Sequence, residues 1–149
     1  MVNVRVHLVS KKELARRYGK HTKAVTFVKQ GGGIRRIEMA KGLSPAQRRK
    51  TVYHEVGHIV TNRPVLKRRI PLSEKRKIAS FARWYVREGR LKKGEEVYEG
   101  LAVLYQKRKQ RKLPAYPFKQ ALPKTYKLLE RERKKKVKIT YVKNKRRLK

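Results

Sequence analysis

Apolar side chains fall at every second position near the start of the chain, at Val2, Val4, Val6 and Leu8, a period of two that predicts a strand with one buried face over residues 2–9. A short helix over about residues 11–18 follows. Residues 24–29 and 34–39 are β-prone runs separated by Gln30-Gly31-Gly32-Gly33, so they predict a hairpin closed by a glycine turn. Ser44, Pro45 and Gln47 then write a helix start in three ways: a cap, a proline at the first helical position and the closing residue of a capping box. That helix runs to Arg63, ahead of Pro64. Its apolar stripe is Val52, Val56, Ile59 and Val60, which leaves His54 and His58 on a different face, free to look into a cleft. From Ser73 a second helix carries Ile78, Phe81, Ala82 and Tyr85 at helical spacing, with Trp84 in the same core and Gly89 as its stop. A third runs from Glu95 to about Lys109, and the acids Glu95 and Glu96 complement the dipole of its first turn. Leu113-Pro114 and Tyr116-Pro117 signal a loop before a fourth helix over residues 123–132. The fold class is therefore α+β, a small amino-terminal sheet followed by a helical half. The chain shows no internal repeat.

Chemistry enters at Thr51-Val52-Tyr53-His54-Glu55-Val56-Gly57-His58, which contains an H-E-x-x-H motif. On a helix that spacing sets both imidazoles on one face, one turn apart, with the glutamate placed to carry a proton beside a metal. A mid-helix glycine costs about 1 kcal/mol, so Gly57 points to close packing against another element. Two histidines need a third ligand, and without cysteine it must be a histidine or a carboxylate. His7, His21 and the glutamates are the candidates. His7 and His21 read as surface residues, and on the third helix Glu99 is followed by Gly100 and Ala102, small enough to allow a close approach to the motif helix. Glu96 and Glu95 stand behind Glu99 as alternatives. A histidine six residues after His58 would mark a metzincin, but Pro64 stands there. One at position 62 would mark the proteases that digest DNA–protein crosslinks, but Asn62 stands there.

Here the chain resembles the gluzincins, zinc peptidases in which a separate helix supplies a glutamate ligand. Glu99-Gly100-Leu101-Ala102 looks like the E-G-x-A form of their second motif, the segment over residues 122–129 is similar to the end of the anthrax lethal factor catalytic domain, and the small size is similar to the archaeal minigluzincins. The resemblance covers residues 44–129. It implies a zincin-like fold, Zn2+ held by His54, His58 and Glu99, and Glu55 as general base. Many gluzincins carry a carboxylate four residues after the ligand glutamate to orient the first histidine; this chain has Val103. Tyr98, Tyr105 and Tyr141 are the candidates for stabilising the oxyanion.

Charge changes the picture. The chain has 149 residues, with 45 Lys and Arg against 10 acids, a formal net charge of +35. Such a field favours phosphate backbones or anionic surfaces. All ten acids are glutamate, and the abundance of Lys, Arg and Glu resembles a hyperthermophile's composition. Five of residues 107–112 are basic, Lys67-Arg68-Arg69 is another cluster, and residues 131–149 hold eleven basic residues and one acid. The expected phosphate-binding residues are Lys107, Arg108, Lys109, Arg111, Lys112, Lys134, Lys135, Lys136, Arg146 and Arg147. No phosphate loop, zinc finger or aromatic RNA-binding signature appears, so contacts should be to backbone phosphate with little sequence preference.

The pattern as a whole predicts one domain over residues 1–130, which the resemblance implies is zincin-like, and a basic tail over 131–149. In the tail Val137, Ile139 and Tyr141 suggest a short strand that orders on a partner or lies in the cleft as a latency device. Neither a membrane-length apolar run nor a signal-peptide block appears, so a cytoplasmic protein is expected. The leading expectation is a zinc metallopeptidase acting on peptide or protein near DNA or RNA, its substrate aligned by strand addition along residues 34–39. The rival is a non-catalytic nucleic-acid- or ribosome-binding protein built on the same fold.

Overall fold

The computed structural model describes residues 2–19, 22, 24–27, 35–62, 64–85 and 94–142. Among them the fold is α+β. Four strands, β1 (Val2–Val9), β2 (Ala24–Phe27), β3 (Arg35–Ala40) and β4 (Val137–Val142), form one mixed sheet in the order β2-β3-β1-β4. Seven helices accompany it: α1 (Lys11–Tyr18), α2 (Pro45–Thr61), α3 (Pro64–Arg69), α4 (Leu72–Tyr85), α5 (Glu96–Lys109), α6 (Ala115–Ala121) and α7 (Pro123–Lys134). Contacts divide the chain into two compact units, residues 1–55 with 135–149, and residues 56–134. The division falls inside α2 and just after α7, rather than setting off a tail at residue 131.

In the first unit the period of two does what it predicts. Val4 and Val6 of β1 and Ile37 and Met39 of β3 are buried, joined by Leu14 of α1 and Val52 of α2. Ser10 caps α1 by accepting from the Glu13 amide at 3.1 Å. β2 and β3 pair antiparallel, as a hairpin requires, while their connection lies outside the described residues. β1 runs parallel to both its neighbours. Two expectations change here. Residues 35–39 belong to an inner strand, flanked by β2 and β1, so their backbone groups are already engaged and cannot receive a substrate strand. Residues 137–142 are a strand of the sheet itself, in register from Val2↔Val137 to His7↔Val142. Their alternation sets Ile139 and Tyr141 beside Val4 and Val6, which is why the segment docks rather than trailing as a tail or lying in a cleft.

In the second unit the core is Val56, Ile59 and Val60 of α2, Ile78 and Ala82 of α4, the run Leu101–Tyr105 of α5, and Phe118, Leu122 and Leu129. The expected stripe of α2 is thus buried throughout. Trp84 is different: it is 64% exposed, because it lies two residues, about 200° of helix, beyond Ala82. Pro64 opens α3 instead of merely ending α2, and Pro117 sits in the first turn of α6, where its missing N–H has no intrahelical acceptor to lose. The expected loop is therefore partly helical. Glu74 of α4 is buried and accepts from the Lys124 amide at 3.2 Å and from the Thr125 amide and hydroxyl at 2.9 Å each. A carboxylate from one helix thereby satisfies the amino terminus of α7.

Candidate functional site

The helix α2 begins as its sequence requires. The Ser44 hydroxyl accepts from the Gln47 amide at 3.2 Å, and the Gln47 side-chain oxygen accepts from the Ser44 amide at 3.3 Å, a reciprocal capping box. From that start the helix is continuous to Thr61, so His54, Glu55 and His58 ride on one element with fixed spacing. His58 is 5% exposed and Glu55 is 8% exposed. Tyr98, one residue before Glu99, stacks on the His58 ring with centroids 4.0 Å apart and 22° between planes. Sequence spacing did not reveal that contact; an aromatic residue next to a candidate ligand is the only signal it left.

Two glycines set how closely the helices approach. A Cβ on Gly57 would meet the Ala102 carbonyl oxygen at 2.9 Å, the Ala102 Cα at 3.0 Å and Tyr105 Cδ1 at 3.3 Å. A Cβ on Gly100 would meet Ile78 Cγ2 at 2.6 Å and the Ile78 carbonyl oxygen at 2.9 Å. Both positions need the absence of a side chain. The helix α5 is thus seated against the end of α2 and against α4 at backbone distance, and Glu99 is carried to His58. His58 Nε2 and Glu99 Oε1 lie 3.2 Å apart. One ligand atom from each of His54, His58 and Glu99 falls within 4.8 Å of the others.

That donor set fits a divalent metal. Ligand bonds of about 2.0–2.1 Å in tetrahedral geometry separate neighbouring donors by about 3.3 Å, close to the observed His58–Glu99 distance. Two imidazoles and one carboxylate leave a fourth position for water or substrate. Of the alternative ligands, Glu96 accepts from the Gly94 amide at 3.3 Å in the first turn of α5, and Glu95 is the residue preceding that helix. Neither belongs to the cluster. His7 lies on β1, where burial first and the charge of Arg36 second lower its pKa; His21 lies outside the described residues. Val103, where a second carboxylate was sought, is 2% exposed in the core. Tyr105 is fully buried and packs against Gly57, which removes it as an oxyanion donor.

The basic residues separate into two kinds. Arg108 is 9% exposed and donates to both Glu130 oxygens, at 3.1 and 2.6 Å, and to the Leu113 carbonyl at 2.8 Å. Arg133 donates to the same carboxylate at 2.7 and 3.1 Å. Burial opposes ionisation of Glu130, but the hydrogen bonds from Arg108 and Arg133 outweigh it and hold the carboxyl at about 2. Arg108 is therefore an internal structural cation, not a phosphate ligand. Lys109 donates to the Arg133 carbonyl at 2.8 Å, and burial lowers its pKa; Lys107 lies over the Tyr85 ring at 5.3 Å. Arg111, Lys112, Lys134 and Lys136 are exposed and Lys135 is half-buried, while Arg146 and Arg147 lie outside the described residues. Arg111 ends α5 with φ 57°, the left-handed position usually given to glycine.

Comparison with protein families, curated proteins and solved structures finds no match. Among the described residues no helix is long and apolar enough to cross a membrane.

Proposed function

We propose that the chain is a zinc-dependent metallopeptidase of the gluzincin type on a zincin-like fold, working in the cytoplasm near nucleic acid. The observation that carries the reading is the convergence of His54, His58 and Glu99 within 4.8 Å, with Glu55 buried between the two histidines in sequence. His54, His58 and Glu99 would hold Zn2+, which when bound lowers the pKa of a coordinated water to about 7 and polarises a peptide carbonyl. Glu55 takes the proton from the attacking water and hands it to the leaving amine nitrogen. Its low exposure keeps bulk water from competing for that proton. Tyr98 holds the His58 ring by stacking and so positions a ligand.

The test separates metal binding from proton transfer. Purified protein should carry about one zinc, and Glu55→Gln should keep that zinc while losing peptide hydrolysis, because a carrier is removed and no ligand is. Equal and negligible zinc in wild type and His54→Ala would discard the site, and unchanged cleavage by Glu55→Gln would discard the mechanism. The charge of +35 and the valine at 103 favour a second reading, a non-catalytic nucleic-acid- or ribosome-binding protein on the same fold. A wild type that holds zinc yet cleaves no peptide would favour it.

A further inference from the structure

The strand β1 alternates in both directions. Val4 and Val6 point into the core, so Asn3 and Arg5 fall on the opposite face, and all of Asn3, Arg5, Arg36, Lys138 and Thr140 are exposed. Register assembles them. Arg5 pairs with Arg36 on one side and Thr140 on the other, and Asn3 pairs with Lys138. With strands about 4.8 Å apart and residues i and i+2 about 6.6 Å apart, three cationic groups root in a patch of about 10 by 7 Å. Like charges directly opposite each other on a sheet destabilise it. Arg36 has a partial counterweight in Glu38 at 3.4 Å, but Glu38 is 8% exposed and also meets Arg17 at 3.7 Å and the Tyr18 hydroxyl at 3.1 Å. Among the described residues no acid lies within ion-pair distance of Arg5 or Lys138.

We infer that this sheet face, with Arg5, Arg36 and Lys138 as its cations, is a docking surface for the phosphate backbone of a nucleic-acid duplex. A duplex presents one charge per about 1.7 Å of axis, dense enough to meet all three cations at once, and Asn3 and Thr140 add neutral hydrogen-bonding groups of the kind that contact phosphate. The face offers no exposed large apolar side chain on β1 or β3, and Tyr141 of β4 is in register with Val6 and so on the other face. Stacking on unpaired bases and insertion into a lipid interface both need such groups. The inference does not rest on the metal centre.

The test is binding of the full chain to a 20-base-pair DNA duplex, followed by fluorescence anisotropy between about 50 and 200 mM salt. Three phosphate contacts contribute a slope of about 2.7 in log affinity against log salt, so Arg5→Gln/Arg36→Gln/Lys138→Gln should flatten the slope by about that amount and weaken binding about 10²–10³-fold near 0.1 M salt. Arg5→Lys/Arg36→Lys should retain most of the slope. A charge-matched control on the other unit, at three exposed cations outside the expected phosphate-binding set, Arg76→Gln/Lys119→Gln/Lys127→Gln, should change it by less than about one contact, 0.9. Equal losses from the two Gln triples would show a diffuse field and overturn the assignment. Binding to phosphatidylserine vesicles without binding to duplex would overturn it in favour of a membrane surface. His54→Ala should bind duplex as wild type does, so failure of the metal site and failure of this surface are read separately.

Discussion

Substituting Gly57 with alanine pits local preference against packing. In an isolated helix alanine is favoured over glycine by about 1 kcal/mol, so a solvent-facing glycine would gain that much stability. At position 57 the new Cβ would lie 2.9 Å from the Ala102 carbonyl oxygen and 3.0 Å from its Cα, both backbone atoms that cannot rotate away. Restoring ordinary contact near 3.4 Å or more requires α2 and α5 to separate by several tenths of an ångström, and such overpacking costs about 1–3 kcal/mol. The net change in stability is therefore a loss of about 0–2 kcal/mol. The more telling effect is on metal. His58 follows Gly57 directly, Glu99 precedes Ala102 by one turn, and the 3.2 Å between their ligand atoms depends on that approach. Zinc affinity should fall by tenfold or more while helix content is kept. Urea unfolding and zinc titration against a competing chelator measure the two quantities. A variant more stable by about 1 kcal/mol with unchanged zinc affinity would refute the claim that this glycine sets the site.

The third ligand is checked by pairing Glu99→Ala, which should lose zinc, with Glu96→Ala, which should retain it; the reverse pattern would move the ligand one turn toward the start of α5. The Arg108–Glu130–Arg133 cluster should make stability depend on acid. Because the folded Glu130 carboxyl sits at about 2 against an ordinary 4.5, its contribution is complete above about pH 4.5 and is lost as pH falls through about 2. The gap of about 2.5 units sets an upper bound of about 3 kcal/mol, of which about 1 kcal/mol survives at pH 3. Glu130→Gln should be strongly destabilised near neutrality and should lack this titration in urea unfolding; a stability difference between wild type and variant that is the same at pH 6 and pH 3 would contradict it. Glu74→Gln should lower stability by about 1–2 kcal/mol through weaker capping of α7, and a change under about 0.3 kcal/mol would remove Glu74 from that role.

What was legible in the sequence was local. The alternation of β1, the Ser44–Gln47 capping box, the stripe of α2 and the spacing of His54, Glu55 and His58 are written within a few residues, and backbone geometry alone turns each into an element or a face. Glu99 was singled out because its small neighbours Gly100 and Ala102 announced close packing, and it does lie beside His54 and His58, although Gly100 makes room for Ile78 of α4 and Gly57 makes room for α5. What was not legible depended on partners far along the chain. Arg108 lies in a basic run and reads as a solvated cation until Glu130, 22 residues on, is brought beneath it. Nothing in residues 137–142 says that β1, at the other end of the sequence, will supply their hydrogen bonds. The pairing of β3 with β1, with β2 on its far side, makes β3 an inner strand. Trp84 was misplaced because its size was weighed above its angle on the helix.

These long-range contacts alter how the charge must be probed. Truncating residues 131–149 would seem to strip a basic tail, but it would also remove β4 from the side of β1, take Arg133 from Glu130, and delete Glu132, which is only 5% exposed. The loss of binding that followed would mix unfolding with neutralisation. Side-chain substitutions at Arg5, Arg36 and Lys138 avoid this, because the alternation that buries Val4, Val6 and Ile37 also turns those cations outward, so that their removal does not open the core, although at Arg36 it gives up the 3.4 Å contact with Glu38. The cluster of His54, His58 and Glu99, on α2 and α5, shares no position with that face. The two proposals can therefore be tested independently in an intact chain, and a variant that loses duplex binding or zinc while keeping the other would assign each to its own set of residues.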